Sequence, residues 1–269
     1  MRQLETRLYG RVHPQTVSLF GPELWWKPNM ALKQPIFRHP DLDFASLHIY
    51  KEGTIDDPRD TVAPALSMGA IVRDALAETV DGRPFLDSEH GPIHAFKDRH
   101  ITLPEPFDDE YFRHMQWAHL ASGGAGGGMR WPNRRPHVLT HGMRRAQHAM
   151  ARFLPLIDWP ALRRVNLNQE VDLSDRRIAA FACGDRRQAI VWLMRKDTIA
   201  GDGMLLRGAA SIRVRLRVPG LEPGAYRIMP WDTETGAAQA LIRAEASQAG
   251  LAFQTPPIER DLAFAIRRL

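Results

Sequence analysis

The chain has 269 residues, with 36 lysines and arginines against 31 aspartates and glutamates, a formal net charge of +5. At 44% apolar and 25% charged residues, the composition excludes wholesale disorder, and no apolar run approaches the roughly 20 residues of a membrane-crossing helix. A single cysteine, Cys183, excludes an internal disulfide and fits a reducing compartment.

The opening residues MRQLETRLYGR read as the end of a helix. They lack the apolar centre of a secretory signal, so this chain alone points to the cytoplasm. Residues 15–21 (QTVSLFG), 43–50 (DFASLHIY) and 83–89 (RPFLDSE) are strand candidates. Residues 124–131 (GAGGGMRW) are a weaker fourth, because glycine disfavours strand interiors. Between them, residues 61–80 carry Leu66, Ile71, Val72, Ala75 and Leu76 at helical spacing. Residues 108–122 form a second helix, with Asp108, Asp109 and Glu110 in a first turn where acids suit the helix dipole. Residues 139–154 form a third, ended by Pro155. Strands alternating with helices imply βαβ units and a parallel sheet. After about residue 166 the pattern changes to short strands at 178–183, 188–194, 211–218, 225–231, 251–255 and 262–267, separated by turn residues. The expected organisation is an α/β unit over residues 1–163 and a small antiparallel β-sandwich over 164–269.

The charge itself is uninformative. Arginine outnumbers lysine by 31 to five, but the arginines are spread along the chain among acidic and apolar residues. Neither a basic face nor a nucleic-acid-binding motif is present, so the expectation is a solvated, arginine-rich surface and no nucleic-acid or membrane partner.

Ligands of parallel α/β sheets bind at the carboxyl ends of the strands. There the second strand offers His48 and Tyr50, the third Asp87, Ser88, Glu89 and His90, and the fourth Arg130 and Trp131. A carboxylate among imidazole, phenol and indole groups suits a sugar. Each residue also has a plainer reading. Glu89 could be a solvated loop carboxylate, His48 a satisfied core histidine, Tyr50 strand filler and Trp131 a cap on the sheet. His90 and His94 flank Gly91-Pro92, which break any helix that would place both on one metal, so no metal site is assigned. The glycines at 123–128 lack the Lys-Ser/Thr of a phosphate loop and follow a helix instead of a strand. They read as packing residues, and no cofactor is expected. Cys183 falls in a strand and reads as buried filler.

Taken in order, these segments resemble the C-terminal half of a clan A glycoside hydrolase, a (β/α)8 barrel with an appended β-sandwich. HPQTVSLFG resembles the fifth barrel strand, DFASLHIY the sixth, PFLDSEHGP the seventh, and HMQWAHLASGGAGGGMRWP the seventh helix and eighth strand. WDTETG and DLAFAIRR resemble closing strands of the accessory domain. The resemblance implies Glu89 as the nucleophile of a retaining glycosidase, with His48, Tyr50, His90 and Trp131 lining the sugar subsite. It departs from the family where His90, not a small residue, follows the glutamate. The family's acid/base is the glutamate of an Asn-Glu pair after the fourth strand, and no such pair occurs here; Glu23, Glu52 or Asp87 would have to substitute. The resemblance therefore implies a fragment of a longer enzyme. Its alternatives are a barrel completed by a second copy or an N-terminal partner chain, and a non-catalytic carbohydrate-binding or structural module on a decayed glycosidase scaffold. Any signal peptide would lie in the missing portion.

Overall fold

A computed structural model of the chain describes residues 1–20, 33–92, 103–131 and 139–269. Helix α1 (Arg2–Tyr9) ends on Gly10, whose φ of 65° is the left-handed cap that glycine takes without strain. Strand β1 (Ser18–Phe20), the short helix α2 (Lys33–Phe37), strand β2 (Ala45–Ile49), helix α3 (Val62–Glu78) and strand β3 (Phe85–His90) follow. Helices α4 (Glu105–Ala121) and α5 (His141–Phe153) complete the α/β part. Strands β1, β2 and β3 pair in parallel in that order.

Local chemistry sets the helix starts. The Asp60 carboxylate accepts the N–H groups of Val62 and Ala63 at 2.8 and 2.7 Å, satisfying two donors that the first turn of α3 leaves free. Thr140 caps α5 by accepting the Met143 N–H at 3.1 Å. Helix α4 begins before the acidic triplet, because Pro106 fits a first turn whose N–H groups have no partner within the helix.

The fourth strand expected at 124–131 is reduced to one parallel bridge between His90 and Arg130. Its glycines explain why. A Cβ at Gly124 would lie 2.2 Å from the His119 ring, one at Gly127 1.9 Å from Gln116 Oε1, and one at Gly128 2.4 Å from Asp87 Oδ2. The segment wraps tightly over side chains of α4 and β3 instead of extending. His119 Nδ1 donates to Gly126 O at 2.7 Å and Gln116 Nε2 to Gly128 O at 3.1 Å. Gly128→Ala, at φ 78°, is expected to cost about 1–3 kcal/mol in backbone strain and to push Asp87 aside as well. The urea midpoint checks this; an unchanged midpoint would contradict it.

The second part is one sheet of nine antiparallel strands: β4 (Val165–Asn166), β5 (Asp172–Leu173), β6 (Ile178–Gly184), β7 (Gln188–Arg195), β8 (Arg215–Val218), β9 (Gly224–Trp231), β10 (Ile242–Ser247), β11 (Gly250–Gln254) and β12 (Asp261–Arg268). Their order is β4-β6-β7-β12-β9-β10-β11-β8-β5. Hydrogen bonding thus joins all nine into one curled antiparallel sheet where the sequence reads a small antiparallel β-sandwich. Val191, Leu193, Phe264 and Ile266 from its centre enclose a core with Leu216, Val218, Leu251 and Phe253 from its far end.

The opposite face of β6, β7 and β12 packs on the helices. Phe181, Ile190, Trp192 and Met194 share one core with Leu47, Phe85, Met115, Trp117 and Phe153. Gly69 of α3 allows this approach, since a Cβ there would meet the Phe181 ring at 2.6 Å. Strand β7 is buried at every position. A continuous apolar core therefore crosses residues 160–168, where the sequence places its boundary.

Candidate active site

The site is built on a break in register between β2 and β3. Alternate residues of a strand face opposite sides. Ala45, Leu47 and Ile49 enter the core beneath the helices, which sends Ser46, His48 and Tyr50 to the other face. Leu47 aligns with Asp87, but the next pair is His48 with Glu89. Ser88 is the extra residue of a β-bulge, a feature that re-aims a side chain at a strand end. Its hydroxyl donates to Leu47 O at 3.2 Å.

The bulge brings Glu89 level with His48. The Tyr50 hydroxyl donates to Glu89 Oε1, and His48 Nδ1 lies 3.6 Å from Glu89 Oε2. The Glu89 side chain is 18% exposed and that of His48 33%, so both remain open to a ligand. Burial, and then the neighbouring Glu89, push the Tyr50 phenol far above its ordinary value, so Tyr50 acts as a donor at neutral pH. One layer below, the Ser18 hydroxyl bonds those of Ser46 at 2.6 Å and Ser88 at 2.9 Å.

His48, Tyr50 and Glu89 are thus brought together. His90, expected to line a sugar subsite, is not with them. Strand alternation turns it into the core, where it is fully buried with Nδ1 2.5 Å from Asp87 Oδ2. Trp131 follows the bridging Arg130. Its N–H donates to His90 O at 2.6 Å and its side chain is 46% exposed at the rim.

Among the other candidates, burial removes Asp87 and Cys183. Asp87 is fully buried and faces the helices, so it cannot meet a substrate. Glu52 is exposed in the turn after β2. Glu23 and His94 lie outside the described residues. Among the described residues, no group of three His, Cys, Asp or Glu side chains could hold a metal ion. Cys183 is buried, and burial pushes its thiol up to about 12, which removes it as a nucleophile. A cleft of about 860 Å3, lined by Arg73, Leu76, Arg83, Arg163 and Arg164, lies at the start of β3. That is the opposite end of the strand from Glu89, the end that serves stability in parallel α/β folds.

Among the described residues, the Tyr50 hydroxyl is a side-chain donor to the Glu89 carboxylate. Hydrogen bonds to charged groups contribute about 1.5–3 kcal/mol. Tyr50→Phe is therefore expected to cost about 1.5–3 kcal/mol of folding stability. An unchanged urea midpoint in this variant would show that the contact is irrelevant.

No family model matches the sequence, and no curated protein matches it. The chain is similar in structure to glycoside hydrolases. A family 5 glycoside hydrolase from Bacteroides vulgatus is 11% identical, with a TM-score of 0.49 over 86% of this chain and 51% of that one. A family 30 endoxylanase from Clostridium papyrosolvens is 12% identical, with a TM-score of 0.44 over 85% of this chain and 50% of that one. A family 44 xyloglucanase from Paenibacillus polymyxa is 10% identical, with a TM-score of 0.40 over 85% of this chain and 47% of that one. The chain spans about half the length of these proteins.

Proposed function

We propose that the chain is a glycoside-hydrolase-like unit in which Glu89 is the nucleophile of a retaining reaction. The observation that carries this reading is a part-exposed carboxylate on a bulge at the carboxyl end of a parallel strand, held by the Tyr50 hydroxyl beside the His48 imidazole. A carboxylate so fixed can attack an anomeric carbon, breaking its bond to the aglycone oxygen, which leaves as an alcohol once protonated or as the anion of an activated phenol; water then hydrolyses the covalent glycosyl ester and frees the carboxylate. The Tyr50 donor orients it without neutralising it. His48 borders the ring hydroxyls, and Trp131 offers an exposed indole face for stacking at the rim. On this reading β1, β2, β3 and the Arg130 bridge are the fifth to eighth strands of a barrel, and residues 164–269 are its accessory β domain. The remaining strands of the barrel come from a longer form of the chain, from a second copy or from an N-terminal partner chain.

A second reading rests on Asp87. The carboxylate next nearest in sequence to Glu89 is turned into the core, so the acid/base required for natural substrates, about 5–5.5 Å from the nucleophile in retaining enzymes, has no assigned residue. Carbohydrate binding without turnover would follow. A panel of dinitrophenyl glycosides separates the two, because such leaving groups depart without a general acid. The proposal expects dinitrophenolate release on at least one sugar. Sugar binding with no release from any member would favour the binding module.

A further inference from the structure

We propose that Asp87 is a positioning residue for Glu89, an inference that rests on Glu89 being the nucleophile. The Asp87 carboxylate is fully buried. Its two oxygens divide their work. Oδ1 accepts the backbone N–H of Glu89 at 3.2 Å. Oδ2 lies 2.5 Å from His90 Nδ1, and since a carboxylate only accepts, that nitrogen carries the proton. One carboxylate thus fixes the two residues that follow the bulge.

The Asp87 backbone is itself held on both its polar groups, and a close neighbour confines the carboxylate. The Asp87 N–H donates to His119 Nε2 at 3.0 Å. His119 Nδ1 donates to Gly126 O at 2.7 Å. This pattern requires a neutral His119, and burial pushes its pKa below the ordinary value in the same sense. Met129 N–H donates to Asp87 O at 3.2 Å. Gly128 closes the cage, since any side chain there would collide with Asp87 Oδ2. Directly after the bulge, where Glu89 rejoins the pairing with His48, Asp87 gives the Glu89 N–H a side-chain acceptor. Without it, the Ser88–Glu89 peptide is free to rotate, and Glu89 swings away from Tyr50. A 1 Å misplacement of a reacting group costs on the order of 100-fold in rate.

Asp87→Asn keeps an acceptor for the Glu89 N–H and a polar contact to His90, so it serves as the conservative rescue of Asp87→Ala. Two readouts test the role in the intact chain. The first is the hydrogen-bonded Tyr50 hydroxyl proton, observed by NMR, alongside the dispersed methyl signals that report folding. The second is kcat and KM on a dinitrophenyl glycoside. The expected result is loss of the Tyr50 proton in Asp87→Ala with methyl dispersion kept, its retention in Asp87→Asn, and kcat lowered about 10- to 100-fold in Asp87→Ala with KM unchanged. If Asp87→Ala unfolds, Asp87→Asn decides: more than a tenfold loss of kcat with the Tyr50 proton retained overturns the proposal. A Tyr50 proton and kcat unchanged in a folded Asp87→Ala also overturn it. If the Tyr50 proton behaves as expected but wild type releases no dinitrophenolate, the positioning geometry stands and the nucleophile reading falls.

Discussion

Replacing Asp261 by alanine is expected to cost about 3–5 kcal/mol of folding stability, the loss seen when one partner of a buried ion pair is removed. Asp261 opens β12, and its side chain is 4% exposed. Arg113 of α4, 5% exposed at its side chain, donates to Asp261 Oδ2 at 2.6 Å. Trp192 Nε1 donates to Oδ1 at 3.1 Å, and the Thr233 hydroxyl donates to the same oxygen. Truncation strands the indole N–H and leaves the guanidinium with the Thr233 hydroxyl and a 3.7 Å pairing with Glu110. The network continues through Glu110, which accepts from Thr61 Oγ1 at 2.9 Å and Leu205 N at 2.7 Å and pairs with Arg260 at 3.3 Å. These bonds tie α4 to the nine-stranded sheet. A double variant, Arg113→Met with Asp261→Leu, is expected to recover most of the loss, because buried ion pairs are often replaceable by apolar residues. Urea unfolding measures both; a single-variant cost below about 1 kcal/mol would contradict the account.

The same pair sets a dependence on pH. Burial acts to raise the Asp261 pKa, but Arg113, His114 and the Arg113 and Thr233 hydrogen bonds outweigh it and hold the carboxyl well below the usual range. A carboxyl whose folded pKa is depressed contributes stability that is fully present above its unfolded value of about 3.9. That contribution is lost as pH falls through the folded value. Stability of the wild type is therefore expected to fall below about pH 4, and more steeply than that of Asp261→Asn.

Glu89→Gln is expected to lower kcat on a dinitrophenyl glycoside by at least about 10³-fold, in the range seen when a catalytic nucleophile is removed. The amide keeps the size of the side chain and an oxygen for the Tyr50 hydroxyl, so the bulge and the strand end stay intact. What it lacks is a charge to attack the anomeric carbon. Because Glu89 is partly exposed and the amide oxygen still accepts from Tyr50, the stability change is expected to stay below about 1.5 kcal/mol. A large loss of rate with little loss of stability separates a chemical role from a structural one. A comparable loss of both would place Glu89 among the structural carboxylates.

Much of the fold is legible in the sequence where one period dominates. Residues 61–80 and 139–154 carry an apolar helical stripe, and α3 and α5 form there. The short β-rich runs after residue 166 become strands of the sheet. Strand β10 is not legible: its sequence IRAEAS is rich in helix formers and is extended because β9 and β11 pair with it on both sides. Nor is the interior of α4. Glu110, Arg113 and His114 carry no local signal of burial, yet they are buried because their partners come from residues 61, 205, 233 and 261. No local pattern announces contacts so distant in the chain.

The site divides in the same way. The carboxyl ends of β2 and β3 are readable from strand position, and His48, Tyr50 and Glu89 do meet there. The bulge is not readable, since period-two alternation alone would have put Ser88 opposite His48. It moves Glu89 into contact with Tyr50 and turns His90 into the core. The work of Asp87 follows from the bulge and was equally hidden.

The most direct test of Glu89 as nucleophile is the site of a trapped intermediate. The chain is incubated with a panel of activated 2-deoxy-2-fluoro glycosides and then digested and mapped by mass spectrometry. The account predicts one added fluoroglycosyl mass on the peptide containing Glu89, absent from Glu89→Gln. Label on another carboxylate, or label undiminished in Glu89→Gln, would contradict it.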